Sequence, residues 1–319
     1  MVAVMVASVA LAAESAAPQG GSIGLPAASA AEGPTGAVDV SGRSMNIADE
    51  VERLRAARHV LLGEIHDNPE HHRLRAALLR GLLTDGVPTW VVFEQIDRQH
   101  SPAVAAAPRN TDAIVAAGQL DQKGWAWPLH RPLFDAALDG GATVLGGNLS
   151  RAEASQVVRG GVTQAPVDLR RFLTDSIDGD TTAPGAWTAS QNAELVRQVD
   201  EGHCGALPPK MIAPMVLAQR TRDAALAWAM LQAPPGVRVV LIAGNEHVRR
   251  DIGVPHYLAA MDRAPTSDAH VVSIGFLERA ANGSTTVDGP YDEAWFTTRV
   301  ARPDPCESFH PPGTPEKPG

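Results

Sequence analysis

The stretch HVLLGEIHDNPEHH, residues 59–72, contains the pattern that decides the predicted fold. Its opening HVLL is mostly apolar without alternation, which is typical of a parallel strand buried on both faces. The glycine that follows permits a sharp turn. Asn68-Pro69-Glu70 then supplies an N-cap, a first-turn proline and an early acid, which predict a helix running to about Leu83. A strand followed at once by a helix is the building unit of an α/β fold.

Four further runs have the same buried-strand character. They are Trp90–Phe93, Ala142–Leu145, Arg238–Ile242 and Val271–Ile274. Helical stretches separate them, among them Arg131–Leu138 and a helix capped by Ser150. Alternating strands and helices predict an α/β fold in which a mainly parallel central sheet is flanked by helices.

The predicted α/β domain covers residues 45–301 and is interrupted once. Residues 151–235 contain no convincing strand, so we interpret them as a helical insertion between the two halves of the sheet. The insertion ends in a long helix from about Met211 to Leu231. At about 100° per residue its apolar residues form one stripe, and Gln219 and Asp223 fall within that stripe. Polar residues on such a face indicate either a hydrogen-bonded network or the wall of a cleft.

Both ends of the sequence differ from this domain. Residues 1–13 contain an uncharged apolar run with the length of a signal-peptide core, too short to span a bilayer. Residues 14–44 are interpreted as an Ala/Gly/Pro-rich linker and residues 302–319 as a Pro-rich tail. Because no cysteine follows the apolar run, we expect no lipid anchor of the lipobox type. The sequence therefore predicts an exported protein, periplasmic or extracellular, without a transmembrane span.

Composition narrows the classes of function. The 319 residues are 44% hydrophobic and carry a formal net charge of -9. Such a chain can bury a sizeable core, and its acidity disfavours nucleic acid as a partner. The two cysteines, Cys204 and Cys306, are too few for a disulfide framework or a Cys-rich zinc site. In an exported protein they can pair, whereas in a cytosol they would stay reduced.

Two G-x-x-H segments, Gly63–His66 and Gly244–His247, each follow a predicted strand. Ligands of open α/β sheets bind beyond the carboxyl ends of the strands, and Glu94 follows a third strand. Two imidazoles and a carboxylate from these strand ends predict a three-ligand site for a divalent transition metal such as Zn, Mn or Co. The three predicted ligands are His66, Glu94 and His247.

A metal at this place would support hydrolysis. Glu64 or Glu246 would then act as general base on metal-bound water. The alternative is that each histidine is a hydrogen-bonded structural residue, because G-x-x-H is a short pattern that also arises by chance. The sequence names no substrate and leaves open whether the protein is an enzyme.

Three blocks, taken together, resemble the ChaN-like haem-binding uptake proteins. They are LGEIHDNP at 62–69 with the following His71-His72, GHCG at 202–205 with the later AQ at 218–219 and RD at 222–223, and AGNEHVRRDIGVP at 243–255. The blocks occur in the expected order over about residues 58–280. The family resembles the wider Tiki, TraB and erythromycin-esterase group, in some of whose members the equivalent residues imply a metal-dependent hydrolase.

The resemblance implies an exported bacterial protein of haem or iron uptake that holds haem in a cleft or at a homodimer interface. The family precedent is a tyrosine ligand with a histidine from the partner subunit. Tyr257, close to the second G-x-x-H segment, is the first candidate ligand, since phenolate favours ferric iron. His203, which opens the H-C-G segment, is the alternative. Gln219 and Asp223 of the matched helix are the other predicted cofactor-binding residues.

Two hypotheses follow from the sequence. One is a haem-binding protein without catalysis. The other is a metal-dependent hydrolase that uses His66, Glu94 and His247.

Overall fold

The computed structural model describes residues 36–173, 186–261, 271–287 and 289–308. Its six strands form a single sheet in the order β3-β2-β4-β1-β5-β6. They are β1 His59–Leu62, β2 Thr89–Asp97, β3 Thr143–Asn148, β4 Arg238–Ile242, β5 Val271–Glu278 and β6 Glu293–Thr297. Every neighbouring pair is parallel, which confirms the predicted sheet. The edge strand β6 was not predicted.

Helices connect the strands on both faces of the sheet. They are α1 Ile47–Leu54, α2 Pro69–Leu82, α3 Ser101–Ala106, α4 Thr111–Ala117, α5 Arg131–Asp139, α6 Arg151–Gly160, α7 Ala189–Gly202, α8 Pro209–Leu231, α9 Asn245–Val248 and α10 Val254–Met261. The predicted caps are confirmed. The Asn68 side chain accepts from the backbone N–H groups of Glu70 and His71, and Ser150 forms a capping box with Glu153.

Two apolar layers enclose the sheet. On one face, Val60 and Phe93 pack with Leu78 of α2 and Phe134 of α5. On the other face, sheet residues such as Leu61, Val92 and Leu241 pack with Leu226 and Met230 of α8. The described residues of the 151–235 segment contain no strand, in agreement with the sequence analysis. This segment is part of the core architecture, since α8 covers one face of the sheet.

A disulfide joins Cys204, in the turn between α7 and α8, to Cys306 in the segment after β6, with 5.5 Å between the two Cα atoms. Arg302 lies just before this bond and pairs with both Glu278 and Asp67. The carboxyl-terminal segment up to Cys306 is therefore fixed at two points. Residues 309–319 of the predicted tail lie outside the described residues.

The predicted linker is described only over residues 36–44. There Val38 forms an antiparallel bridge with Phe296 of β6, with backbone N–O distances of 3.0 and 2.7 Å. The predicted signal peptide, residues 1–13, lies outside the described residues. Within the described part, no helix has the length and apolar character needed to cross a membrane.

Candidate functional site

Three neighbouring strands, β2, β4 and β1, bring their carboxyl ends to one edge of the sheet. Glu64 and His66 follow β1, and His247 lies in α9, the short helix after β4. Glu94 lies inside β2 and not after it, because this strand continues to Asp97. The two G-x-x-H segments and Glu94 thus meet at the same edge.

Glu64 is the centre of a first group of polar residues, and its carboxylate is fully buried. Its Oε1 accepts from His66 Nδ1 at 2.7 Å and from His130 Nε2 at 3.0 Å. Gln95 Nε2 lies 3.4 Å from the same oxygen. Its Oε2 forms an ion pair with Arg75. We call this group the Glu64 cluster; it consists of Glu64, His66, His72, Arg75, Gln95 and His130.

Arg75 supplies the positive charge of the Glu64 cluster. Burial lowers the pKa of Arg75 to about 9, with the charge of Glu94 opposing, so the guanidinium is still charged at neutral pH. It also donates to the backbone oxygens of Leu62 at 3.1 Å and Ala243 at 3.4 Å. The single charge of Glu64 is therefore balanced before any histidine takes up a proton.

His72 and His130 are the neutral histidines of this cluster. Burial lowers the pKa of His72 to about 4 and the pKa of His130 to about 2. His72 Nε2 lies 2.9 Å from the backbone oxygen of His66, so we assign its proton to Nε2. The unprotonated Nδ1 then accepts from Arg75 at 3.0 Å. Both rings act as hydrogen-bonding supports of Glu64 and His66.

A second group, the Glu94 cluster, consists of Glu94, Asp223 and His247. The imidazole of His247 lies between the two carboxylates, with Nδ1 2.6 Å from Asp223 Oδ1 and Nε2 3.2 Å from Glu94 Oε1. Gln219 Nε2 lies 3.4 Å from the same Nδ1. The polar residues of the α8 stripe therefore point into a hydrogen-bonded network at the sheet edge, one of the two alternatives that the sequence left open.

His247 carries the positive charge of the Glu94 cluster. Burial alone would lower its pKa, but the charges of Glu94 and Asp223 outweigh burial and raise the pKa to about 10. Burial would raise the pKa of Glu94, yet the charge of His247 brings this pKa below its ordinary value. Burial raises the pKa of Asp223, with His247 opposing. An imidazolium has no free lone pair, so His247 cannot coordinate a metal in this protonation state.

Gly244 is the point where the two clusters meet. A Cβ at this position would lie 3.1 Å from His66 Cε1 and Nε2 and 3.7 Å from Glu94 Oε2. The backbone N–H of Gly244 donates to Glu94 Oε2 at 2.8 Å. Because Gly244 has no side chain, the ring of His66 can lie close to its backbone.

Among the described residues, one set of neighbouring side chains at this edge could hold a metal ion. Glu64, His66 and His130 each offer a ligand atom, and these atoms lie within 4.8 Å of one another. This set shares only His66 with the predicted ligands His66, Glu94 and His247. A cation there would compete with Arg75 for the Glu64 carboxylate, which weakens the case for a metal.

Residues 51–258 match the family model described as haem-binding uptake, Tiki superfamily, ChaN. This chain belongs to that family. None of the curated proteins matches the chain.

Solved structures of similar fold include ChaN of Campylobacter jejuni, described for cofacial haem binding. It is 18% identical, with a TM-score of 0.59, and the match covers 81% of this chain and 95% of that one. A mutant of erythromycin esterase EreC in its open conformation is 16% identical over 72% of each chain, with a TM-score of 0.38. A Bacillus cereus protein is 14% identical over 82% of this chain and 76% of its own, with a TM-score of 0.41. The first of these matches shows that the chain has the ChaN fold.

The two predicted haem ligands of this ChaN-family chain, Tyr257 and His203, contact other partners than the two clusters. Tyr257 of α10 is 1% exposed, and its hydroxyl accepts from Arg220 Nε at 3.3 Å. In this arrangement no large ligand can reach the phenolic oxygen. His203 lies at the end of α7, where Nδ1 donates to the backbone oxygen of Val199 at 2.7 Å.

His66 is the exposed imidazole of this ChaN-family site. Its side chain is 48% exposed, while the Glu64 carboxylate behind it has no exposure. The indole of Trp125 meets the ring edge to face, with 4.9 Å between centroids. Two surface cavities, of about 420 and 310 Å³, are lined by other residues, around 38–42 and around 68–70. The exposed His66 and the half-buried Trp125 therefore form a part of this site that faces solvent, which we call the open face.

Several members of the Glu64 cluster were not among the predicted site residues of this ChaN-family chain. His72 and Arg75 are three residues apart on α2, a spacing that places both on one helix face beside the first G-x-x-H segment. That spacing was readable from the sequence. Gln95 alternates with Glu94 along β2, and His130 precedes α5 without any local pattern to mark it.

Proposed function

We propose that this protein binds haem and takes part in haem or iron uptake outside the cytoplasm. The observation that carries this proposal is the match of residues 51–258 to the haem-binding uptake family. The likeness to ChaN of C. jejuni, described for cofacial haem binding, supports it. The disulfide between Cys204 and Cys306 supports export, because such bonds persist in the periplasm and outside the cell.

The open face around His66 and Trp125 is the proposed haem site. A planar porphyrin laid on an open face is covered by protein on one side only. We propose that a second copy of the chain covers the other side, so that haem lies at a homodimer interface. The apolar area of the porphyrin would otherwise stay in contact with water, at a cost of roughly 25 cal/mol per Å².

A haemin titration of the purified protein tests the proposal. We expect a Soret band that saturates at a fixed ratio of haem to chain, with sedimentation showing a dimer in the loaded protein. Haemin in the same buffer without protein provides the spectrum of unbound haemin. A titration in which the spectrum stays that of unbound haemin would remove haem binding from the function. A saturating Soret band with a monomer in sedimentation would remove only the dimer.

A metal-dependent hydrolase is the second candidate. The observation in its favour is that Glu64, His66 and His130 place three ligand atoms within 4.8 Å of one another. Against it stands the ion pair of Arg75 with Glu64, because the guanidinium already neutralises the carboxylate that would bind the metal. Elemental analysis of the protein as purified separates the two candidates. Stoichiometric Zn, Mn or Co without a haem-dependent band would favour the hydrolase.

A further inference from the structure

We propose that the disulfide between Cys204 and Cys306 is a redox-sensitive lock on the loop that carries His66. The lock acts through residues 299–308, which follow β6 and which we call the strap. It acts on this loop whichever ligand the open face takes, and it therefore extends beyond the proposed haem binding. Both cysteines are partly exposed, so a small dithiol can reach the bond in the folded protein.

The strap is attached to the rest of the protein at few points. In the part of the chain that the structure describes, its backbone forms no hydrogen bond with the backbone of any other segment. Its polar and covalent attachments there are the Val300 N–H, which donates to Glu278 Oε1 at 3.1 Å, the guanidinium of Arg302, and the disulfide. A segment held in this way depends on its end points for its position.

Arg302 joins the strap to the loop between β1 and α2. Its Nε donates to Asp67 Oδ2 at 2.7 Å, and its two Nη atoms donate to the carboxylate of Glu278 at 2.7 and 2.8 Å. Glu278 Oε1 also accepts from Asn68 Nδ2 at 2.8 Å. The strap is thus linked to two consecutive loop residues, to Asp67 directly and to Asn68 through Glu278.

The two linked loop residues lie between His66 and α2. Asp67 is the next residue after His66, and among the described residues only Arg302 pairs with its carboxylate. Asn68 is the N-cap of α2. A change in the position of Asp67 or Asn68 therefore reaches the residue that carries the exposed imidazole of the open face.

The disulfide keeps Arg302 close to Asp67. The Asp67 side chain is 47% exposed, and an exposed ion pair is weak because water and salt compete with it. The bond at Cys306, close behind Arg302 in the chain, restricts the conformations of the strap. The guanidinium is therefore held at a high local concentration beside its partner. Breaking the bond removes this restriction and leaves Glu278, which is 8% exposed, as the stronger anchor of Arg302.

A dithiol is the class of reductant that opens this lock. One thiolate of the dithiol attacks a sulfur of the bond, which forms a mixed disulfide and releases the other cysteine. The second thiol of the dithiol then attacks the mixed disulfide and releases the remaining cysteine. The protein gains two electrons and two protons as the thiols of Cys204 and Cys306, and the dithiol becomes a disulfide.

Hydrogen exchange measured by mass spectrometry tests the lock. Peptides covering residues 63–71 report on the loop, and peptides covering β4 report on the core. We expect dithiothreitol, a dithiol, to speed exchange in 63–71 by about twofold to fivefold, the effect of losing one exposed ion pair. Exchange in β4 should stay the same. The Cys204→Ser/Cys306→Ser protein should match the reduced wild type, with or without dithiothreitol.

The variant Arg302→Gln tests the route from the bond to the loop. With the disulfide intact, it should already show the faster loop exchange, and dithiothreitol should add little because the link is lost. It also supplies the test if the double serine variant does not fold. Arg98→Gln is the matched control, because Arg98 pairs with Asp168 and is 23% exposed, against 22% for Arg302. It should keep the wild-type exchange and the wild-type response to dithiothreitol.

Three results would overturn the proposal. One is unchanged exchange in 63–71 when the wild-type protein is reduced. Another is an equal rise of exchange in β4, since the bond would then stabilise the whole fold. The third is the same response to dithiothreitol in wild-type protein and in Arg302→Gln, since the bond would then act by another route. None of these measurements uses haemin, so their failure is distinct from failure of the proposed haem binding.

Discussion

The buried carboxylates of Glu64 and Glu94 both lie at the sheet edge, but the buried histidines around them differ in protonation. Glu64 is paired with Arg75, and its buried neighbours His72 and His130 stay neutral. Glu94 is paired with His247, and that histidine holds its proton up to a pH of about 10. The difference lies in the counter-ion, because a carboxylate already neutralised by arginine has no charge left to stabilise an imidazolium.

The two protonation states give the two clusters different chemical properties. A neutral imidazole keeps a lone pair and can bind a ligand, whereas an imidazolium can only donate protons. The Glu64 cluster therefore keeps buried neutral imidazoles, and the Glu94 cluster links β2, the segment after β4 and α8 through hydrogen bonds of charged groups.

A change of pH should have the largest effect on stability. Acid should destabilise the Glu64 cluster, and alkali should destabilise the Glu94 cluster. Burial lowers the pKa of His72 to about 4 and that of His130 to about 2, from an ordinary value of 6.5. It also lowers to about 4 the pKa of His71, a buried histidine outside the cluster. The unfolded chain therefore binds their protons first, and stability falls as pH drops from 6.5 to about 4. Each histidine contributes about 1.4 kcal/mol per pH unit. Urea unfolding across this range measures the slope, and a flat profile would contradict neutral histidines.

The alkaline side tests the second cluster. His247 has a raised pKa, so its contribution is fully present below pH 6.5 and is lost as pH rises to about 10. We expect Asp223→Asn to remove part of this alkaline loss without changing the acid side.

Substitution Glu64→Gln should have the next largest effect. It leaves the guanidinium of Arg75 buried without a counter-charge, which costs about 3–5 kcal/mol of unfolding free energy. Glu70→Gln is the matched control, because Glu70 pairs with Arg73 at the surface and such pairs contribute about 0–1 kcal/mol. Urea denaturation at pH 7 measures both. Equal losses in the two variants would show that Arg75 does not depend on Glu64.

Substitution Asp223→Ala should cost about 1–3 kcal/mol, because it leaves the buried His247 Nδ1–H without its acceptor. NMR titration of His247 in the Asp223→Asn variant, which keeps the side-chain volume, should show a lowered pKa. An unchanged melting temperature in Asp223→Ala together with an unchanged His247 titration would mean that Asp223 is outside the network.

His66→Ala should have the smallest effect on stability, within about 1 kcal/mol, because the side chain is half exposed. Thermal unfolding at pH 7 measures it. A loss as large as that of Glu64→Gln would show that the half-exposed His66 stabilises the fold as much as the buried carboxylate to which it is hydrogen-bonded.

Much of the fold was readable from local patterns. The run at 59–72 predicted β1, the Asn68 cap and α2, and all three are present. β6 was missed because its five residues, Glu293–Thr297, lie at the sheet edge and only its last three are buried. A short, half-exposed edge strand carries little of the apolar signal on which strand prediction depends.

The site was predictable in position but less so in chemistry. The G-x-x-H segments follow β1 and β4, and Glu94 lies in β2. In a parallel sheet the carboxyl ends of all strands lie at the same edge, so the sequence could predict that these residues meet. The protonation of each histidine depends on Arg75 and on His130, which reaches Glu64 from 66 residues away along the chain. No local pattern contains such long-range neighbours, so the difference between the neutral His72 and His130 and the protonated His247 emerged only from the structure.

The disulfide joins residues that are made at different times. Since a chain is synthesised from its amino end, Cys306 follows Cys204 by 102 residues, and β4, β5 and β6 are all made in that interval. The bond can close only after the last strand exists and the segment behind it has reached the turn between α7 and α8. Each chain whose bond has not yet closed carries two free thiols, so half the number of free thiols in a population is the number of chains still without the bond.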